Sequence, residues 1–308
     1  MARVLSRAVL TALVACLLSA CGGTQIKQQY ETAYVKPDRL LSDYYHKALN
    51  ADPITISGQL MPETVTGSQY GPLYYDTGNG AGLAGGILAH AIINSAAQKN
   101  KNKKRVAEAN AVLDSYNGVI AGVSNNDLYE AAVSEESGLA LQNVPEGPEP
   151  ANGWLMETQP SFILSSSQDA IYIETTIKIF DAYSVATDAS HPHSYEKMIK
   201  MVTPPLKEAS AKDAWLKENG DYFKDSVTNL YVKSLKTAMM DFQGIFAGQD
   251  LTMATIRYIE NGQKKVERGK MIKENCDQYL FETLHGELKV VSRIDNPDLA
   301  TCSESPLI

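Results

Sequence analysis

The segment from Ile171 to Asp181 repeats its chemistry at every second position. Ile171, Ile173, Thr175, Ile177 and Ile179 fall on one side of an extended chain, and Tyr172, Glu174, Thr176, Lys178 and Phe180 on the other. Successive side chains of a strand alternate between faces, so this pattern specifies a half-buried antiparallel strand. Ser161 to Ser166 is expected to form a second strand. Ser167-Gln168-Asp169 between them is turn chemistry, and the pair therefore reads as a hairpin.

From Ala211 to Phe246 the period becomes helical. Phe223, Val227, Leu230, Tyr231, Leu235, Ala238, Met239 and Phe242 trace one apolar stripe, and Gly220 separates a first helix from a longer second one. The remainder reads as a meander. Thr252 to Ile259 is a strand ended by the hairpin signal Asn261-Gly262. A two-residue turn there sets Val266 opposite Arg257, so apolar residues do not align cleanly and the pattern does not fix the register. Lys264 to Lys273 returns, with Gly269 as the expected bulge, and Gln278 to Leu284 and Glu287 to Ile294 follow. The fold class is α+β: an antiparallel sheet, made of the hairpin and a C-terminal meander, with segregated helices.

The N-terminal half, residues 37–150, reads as mainly helical, and residues 151–308 as the α+β region. Leu40, Leu41, Tyr44, Tyr45 and Leu49 keep helical spacing, so Pro37 to Leu49 is expected to be a short helix. Residues 53–80 look irregular, with one short strand. Asn125 to Glu136 is expected to be a helix capped by Asn125 or Asn126, and Leu139 to Val144 a strand. Gly80 to Ala97 is almost uncharged and is followed by Lys99, Lys101, Lys103, Lys104 and Arg105. Gly78, Gly82 and Gly86 recur every fourth residue, which on one long helix makes a smooth contact face. Over residues 78–89 the pattern resembles the glycine zippers of some outer-membrane lipoproteins. Such a helix-contact face serves inside the body, for self-association or for insertion into a membrane, and a buried His90 and Asn94 would be costly in hydrocarbon. The basic run continues the same helix through Val106, Ala109, Val112, Leu113 and Tyr116, and its charge offers a contact for lipopolysaccharide phosphates.

The first seven residues carry Arg3 and Arg7 and no acid, Ala8 to Leu18 is apolar, and Leu18-Ser19-Ala20-Cys21 follows. A positive start, a short apolar core and small residues before a cut make a secretory signal over residues 1–20. An apolar core of about 11 residues is too short to span a bilayer, which needs roughly 20. Leu18-Ser19-Ala20-Cys21 resembles the bacterial lipobox. The resemblance implies a lipoprotein: cleavage before Cys21, diacylation of its thiol, acylation of the new amine (hence palmitate-type chains), and residues 21–36 as a tether. Several acyl chains, at about 0.8 kcal/mol per buried CH₂, hold a protein on a membrane effectively permanently. Gly22, rather than Asp, after the lipidated cysteine favours the outer membrane, with the body facing the periplasm.

Of the four cysteines, the lipobox resemblance implies that Cys16 leaves with the signal and that Cys21 is lipidated. Cys276 and Cys302 remain, in a compartment that permits disulfides. A bridge between them would close a loop of about 26 residues, worth roughly 3 kcal/mol in the chain-entropy account. The formal charge is −8 and becomes −10 without Arg3 and Arg7. Such acidity argues against general nucleic-acid binding and disfavours broad adhesion to anionic lipid.

Three motifs imitate chemistry. Gly80-Ala81-Gly82-Leu83-Ala84-Gly85 fits the dinucleotide fingerprint, but no strand-helix alternation surrounds it, and no cofactor is expected. Ser194-Tyr195-Glu196-Lys197 fits S-x-x-K, in which the lysine takes the serine proton one helical turn away, but its partner motifs are missing. His191-Pro192-His193 has no evident third ligand for a metal. No catalytic residues are therefore assigned. The expected function is that of a lipid-anchored, non-enzymatic scaffold, assembly or accessory module in contact with another envelope protein. The alternatives are a self-associating glycine-zipper lipoprotein and a periplasmic hydrolase on an unrecognised site.

Overall fold

The computed structural model describes residues 43–47, 53–60, 96–144, 152–182, 185, 193–206, 210–247, 251–260, 263–294 and 307–308. The expected signal (residues 1–20), Cys21, the expected tether (residues 21–36), the glycine face expected at Gly78, Gly82 and Gly86, His191 and Cys302 lie outside them. No helix among the described residues is long and apolar enough to cross a membrane.

The protein is a mixed α+β structure built on one ten-stranded, mostly antiparallel sheet. Its strands are β1 (Tyr44–His46), β2 (Ile56–Gly58), β3 (Leu141–Asn143), β4 (Trp154–Leu164), β5 (Ile171–Asp181), β6 (Tyr195–Val202), β7 (Met253–Glu260), β8 (Gln263–Glu274), β9 (Gln278–Thr283) and β10 (Leu288–Ser292). Their order is β3-β1-β4-β5-β6-β10-β9-β8-β7, with β2 also on β4. Among the described residues the α-helices are α1 (Ala96–Asn110), α2 (Asn117–Ile120), α3 (Asn125–Val133), α4 (Ala211–Leu216) and α5 (Asp221–Phe242).

The hairpin forms as its alternation predicts. β4 and β5 pair from Trp154–Asp181 to Leu164–Ile171, and Ile171, Ile173, Thr175, Ile177 and Ile179 are all fully buried. β4 starts seven residues before the expected strand, at Trp154 instead of Ser161. Pro160 lies inside it, where a proline normally breaks a sheet ladder. The even-numbered amides of β4 point away from β5: Trp154 N–H donates to Asp43 O and Phe162 N–H to Thr55 O. β1 pairs only with residues 154–156 and β2 only with 162–164. Pro160 falls in the gap between them, so its missing N–H costs the ladder nothing.

The long helix α5 lies across β5 and β6, and every residue of its expected apolar stripe is buried. Gly220 ends the preceding turn at φ +79°, and a Cβ there would come 2.3 Å from Val119 Cγ1. Both the backbone conformation and the contact with α2 require glycine. α4 docks through Trp215, whose Nε1–H donates to the carbonyl of Gln168 at 2.6 Å. Gln168 holds φ +58° in the β4–β5 turn and also accepts from the Tyr116 hydroxyl at 2.9 Å. One turn residue thus joins α4 and the 3₁₀ turn preceding α2 to the hairpin.

Local expectations fail at four places. Residues 44–46 form a strand rather than part of a helix, with Tyr44 and His46 inward and β3 and β4 alongside, both parallel. The helical continuation past Asn110 tightens into a 3₁₀ turn over Ala111–Tyr116. The cap of α3 is Ser124, whose hydroxyl accepts from Asp127 N–H while the Asp127 carboxylate accepts from Ser124 N–H. The β8 irregularity falls at Met271 to Lys273, not at Gly269. Gly269 instead admits its neighbour: a Cβ there would be 2.5 Å from Glu282 O.

The sequence leaves the register of the C-terminal meander open; the structure sets Arg257 opposite Val266 and Glu260 opposite Gln263. It is not a separate sheet. β10 pairs antiparallel with β9 and parallel with β6, which welds hairpin and meander together. The meander also curls, and Tyr258 of β7 bridges to Arg293 just beyond β10. This roll encloses a small second core of Ile256, Tyr258, Tyr279, Phe281 and Val291, on the sheet face opposite α5.

Candidate functional site

Three polar constellations occupy the described body. The first is the buried lysine of the S-x-x-K motif. Because residues 195–202 are a strand, Ser194 and Lys197 fall on opposite faces, and the helical proton relay cannot form. Lys197 is 4% exposed, and its Nζ lies 2.7 Å from Asp241 Oδ2 and 2.9 Å from Glu282 Oε1. Burial opposes its charge, but Asp241 and then Glu282 outweigh it and raise its pKa. The same lysine, helped by Lys270, holds the Glu282 carboxyl below its ordinary value in spite of burial. Tyr195 donates to Asp241 Oδ2 at 3.1 Å. A lysine kept protonated between two carboxylates is a joint between β6, α5 and β9, not a base.

The second constellation surrounds His46. Its Nε2 lies 2.9 Å from the Tyr231 hydroxyl, which is 2.6 Å from Thr158 Oγ1. The Tyr129 ring lies 5.1 Å away, centroid to centroid. Nδ1 is buried and without a hydrogen-bond partner among the described residues. Burial lowers the His46 pKa to about 4, so the ring is neutral at pH 7. Sequence reasoning passed over this histidine, because nothing near it in the chain marks residue 46 as internal. Of the other candidates, His193 is paired with Glu196 at 2.9 Å.

The third lies on the sheet face opposite α5, where the end of β7 hangs over β5, β6 and β10. Glu174, Lys200, Glu260 and Lys289, with Tyr172, line a pocket of about 50 Å³. Lys200 reaches Glu174 at 3.4 Å and Glu287 at 3.5 Å. Lys289 reaches Glu267 at 2.9 Å, and the Tyr258 hydroxyl donates to the same carboxylate oxygen at 2.7 Å. Burial and then the carboxylates of Glu260, Glu267 and Glu287 push the Tyr258 pKa upward. Ligand pockets run to roughly 300–1,000 Å³, so this space is of the size that holds water. The charges alternate and neutralise one another, tying the ribbon to the sheet. Farther along the same face, Lys178 pairs with Glu196 at 3.5 Å and Lys47 with Glu157 at 2.6 Å.

Among the described residues, no group of three or more His, Cys, Asp or Glu side chains is arranged to hold a metal ion. Cys276 lies in the turn between β8 and β9. The chain matches no family model, no curated protein and no solved structure.

Proposed function

We propose that this chain is a lipid-anchored envelope protein, held at the outer membrane through Cys21, whose body faces the periplasm as a non-enzymatic scaffold or assembly module. The observation that carries the reading is Leu18-Ser19-Ala20-Cys21 placed directly after the apolar run Ala8 to Leu18. The body is consistent with it. Its lysines at 197, 200 and 289 are engaged by carboxylates and act as joints of the sheet. A tether of about 15 residues spans at most roughly 50 Å when fully extended, enough for the body to meet a partner away from the bilayer. The remaining cysteines, Cys276 and Cys302, are proposed to pair and to pin the C-terminal tail.

Cys21→Ala, followed by membrane fractionation and intact mass measurement, tests the anchor. The native protein is expected in the outer-membrane fraction with the added mass of its acyl chains, and the variant in the soluble fraction. An unmodified native mass, or a variant that stays with the membrane as the native protein does, overturns the reading.

A further inference from the structure

Net charge conceals how the cations of the meander are distributed. Along the β7–β8 ribbon, Ile256, Tyr258, Glu260 and Glu267 turn inward, toward the second core and the pocket. The outward face carries Met253, Thr255, Arg257 and Ile259 from β7, opposite Lys270, Arg268, Val266 and Lys264 from β8. All eight side chains are exposed. This face holds four cations and no acid, in a chain whose formal charge is −8. Lys270 is drawn to Glu282 at 3.0 Å. Arg257, Lys264 and Arg268 have no hydrogen-bond or ion-pair partner among the described residues. Between them lie exposed aliphatic side chains, Ile259 at 39% and Val266 at 65%. The face extends about 20 Å at the strand rise of roughly 3.4 Å per residue.

We infer that the outward face of the β7–β8 ribbon docks on an anionic lipid surface. Three unpartnered cations match negatively charged headgroups, and a field of one sign attracts them within a Debye length of the bilayer. Ile259 and Val266 are placed to enter the headgroup boundary between those cations. A soluble polyanion would have no use for them. The charged pocket behind the ribbon braces it, through Lys289–Glu267 and the Tyr258 hydroxyl, so the docking face is presented by a supported strand pair. The inference rests on the membrane-anchored reading only in that the tether keeps the body near a bilayer.

The test uses the exported chain carrying Cys21→Ser, so that lipidation plays no part, in co-sedimentation with vesicles. One set is pure phosphatidylcholine and the other contains phosphatidylglycerol at a molar share of about one third. Binding is expected only to the second set, weakening as salt is raised. Arg257→Gln, Lys264→Gln and Arg268→Gln together should lower it by at least about tenfold, as expected when three surface cations are lost. Lys217→Gln, Lys233→Gln and Lys236→Gln, which change the net charge equally elsewhere, should leave it unchanged. Ile259→Ser with Val266→Ser should weaken it while thermal unfolding stays as in the parent. No binding to anionic vesicles, or equal loss in both triple variants, overturns the proposal. Equally tight binding to soluble polyphosphate, indifferent to the two serines, assigns the ribbon to a soluble polyanion and overturns it as well. None of these outcomes depends on whether Cys21 is acylated.

Discussion

Single side chains carry much of the cost of this fold, and Lys197 is the clearest case. Its charge is buried, yet Asp241 and Glu282 keep it protonated. Replacing one member of such a group leaves opposite charges buried without compensation, which costs about 3–5 kcal/mol. Lys197→Met should therefore lower stability by about that amount, measured by urea unfolding at pH 7, and Lys197→Arg by much less. His46 gives a different signature. Its folded pKa, about 4, lies below the ordinary value of 6.5, so the unfolded chain binds the proton first. The neutral ring's contribution is complete above pH 6.5 and drains away as pH falls toward 4, by roughly 3 kcal/mol in all. His46→Phe should flatten the dependence of unfolding free energy on pH across that window. A slope identical to that of the parent would show that other groups carry it. The lowered Glu282 pKa adds a loss at lower pH, as the carboxylate protonates through its folded value.

At the scale of elements, what could be read from the chain depended on whether the cause lay nearby. β5 and α5 were legible because their buried faces recur within their own residues. Gly220 was legible for the same reason, and Gly220→Ala should destabilise by more than the roughly 1 kcal/mol of a simple helix-propensity change, because its φ is positive and Val119 fills the space. Thermal unfolding of that variant against the parent measures the effect. β6 was not legible: its inner face reads Tyr195, Lys197, Ile199, Met201, and a lysine there looks like a surface residue until α5 and β9 supply its carboxylates. β1 was misread because Tyr44 and Tyr45 also suit a helical period. Its strand state comes from two parallel neighbours remote in sequence. Pro160 hid the first half of β4 for a related reason, since the gap that tolerates it is created by β1 and β2. Of the candidate constellations, the individual residues were visible, but their pairing was not. The ribbon was readable as a hairpin, yet its segregation of charge required the register and the knowledge of which face the second core occupies.

For the molecule as a whole, the decisive piece is β10. It is short, and Leu288, Lys289, Val290 and Val291 are buried, facing the α5 core on one side and the roll of the meander on the other. It is also the last strand in chain order among the described residues, yet it stands between β6 and β9 in the middle of the sheet. Contacts so distant in sequence form late, because the intervening chain must first be gathered in. A polypeptide that stops short of residue 288 therefore lacks a keystone, not a fringe. It exposes two raw edges at once, β6 and β9, each with open backbone donors and acceptors ready to recruit another chain. Synthesis through residue 292 is thus written into the architecture: until β10 arrives, no strand pairing among the described residues joins the two halves of the sheet.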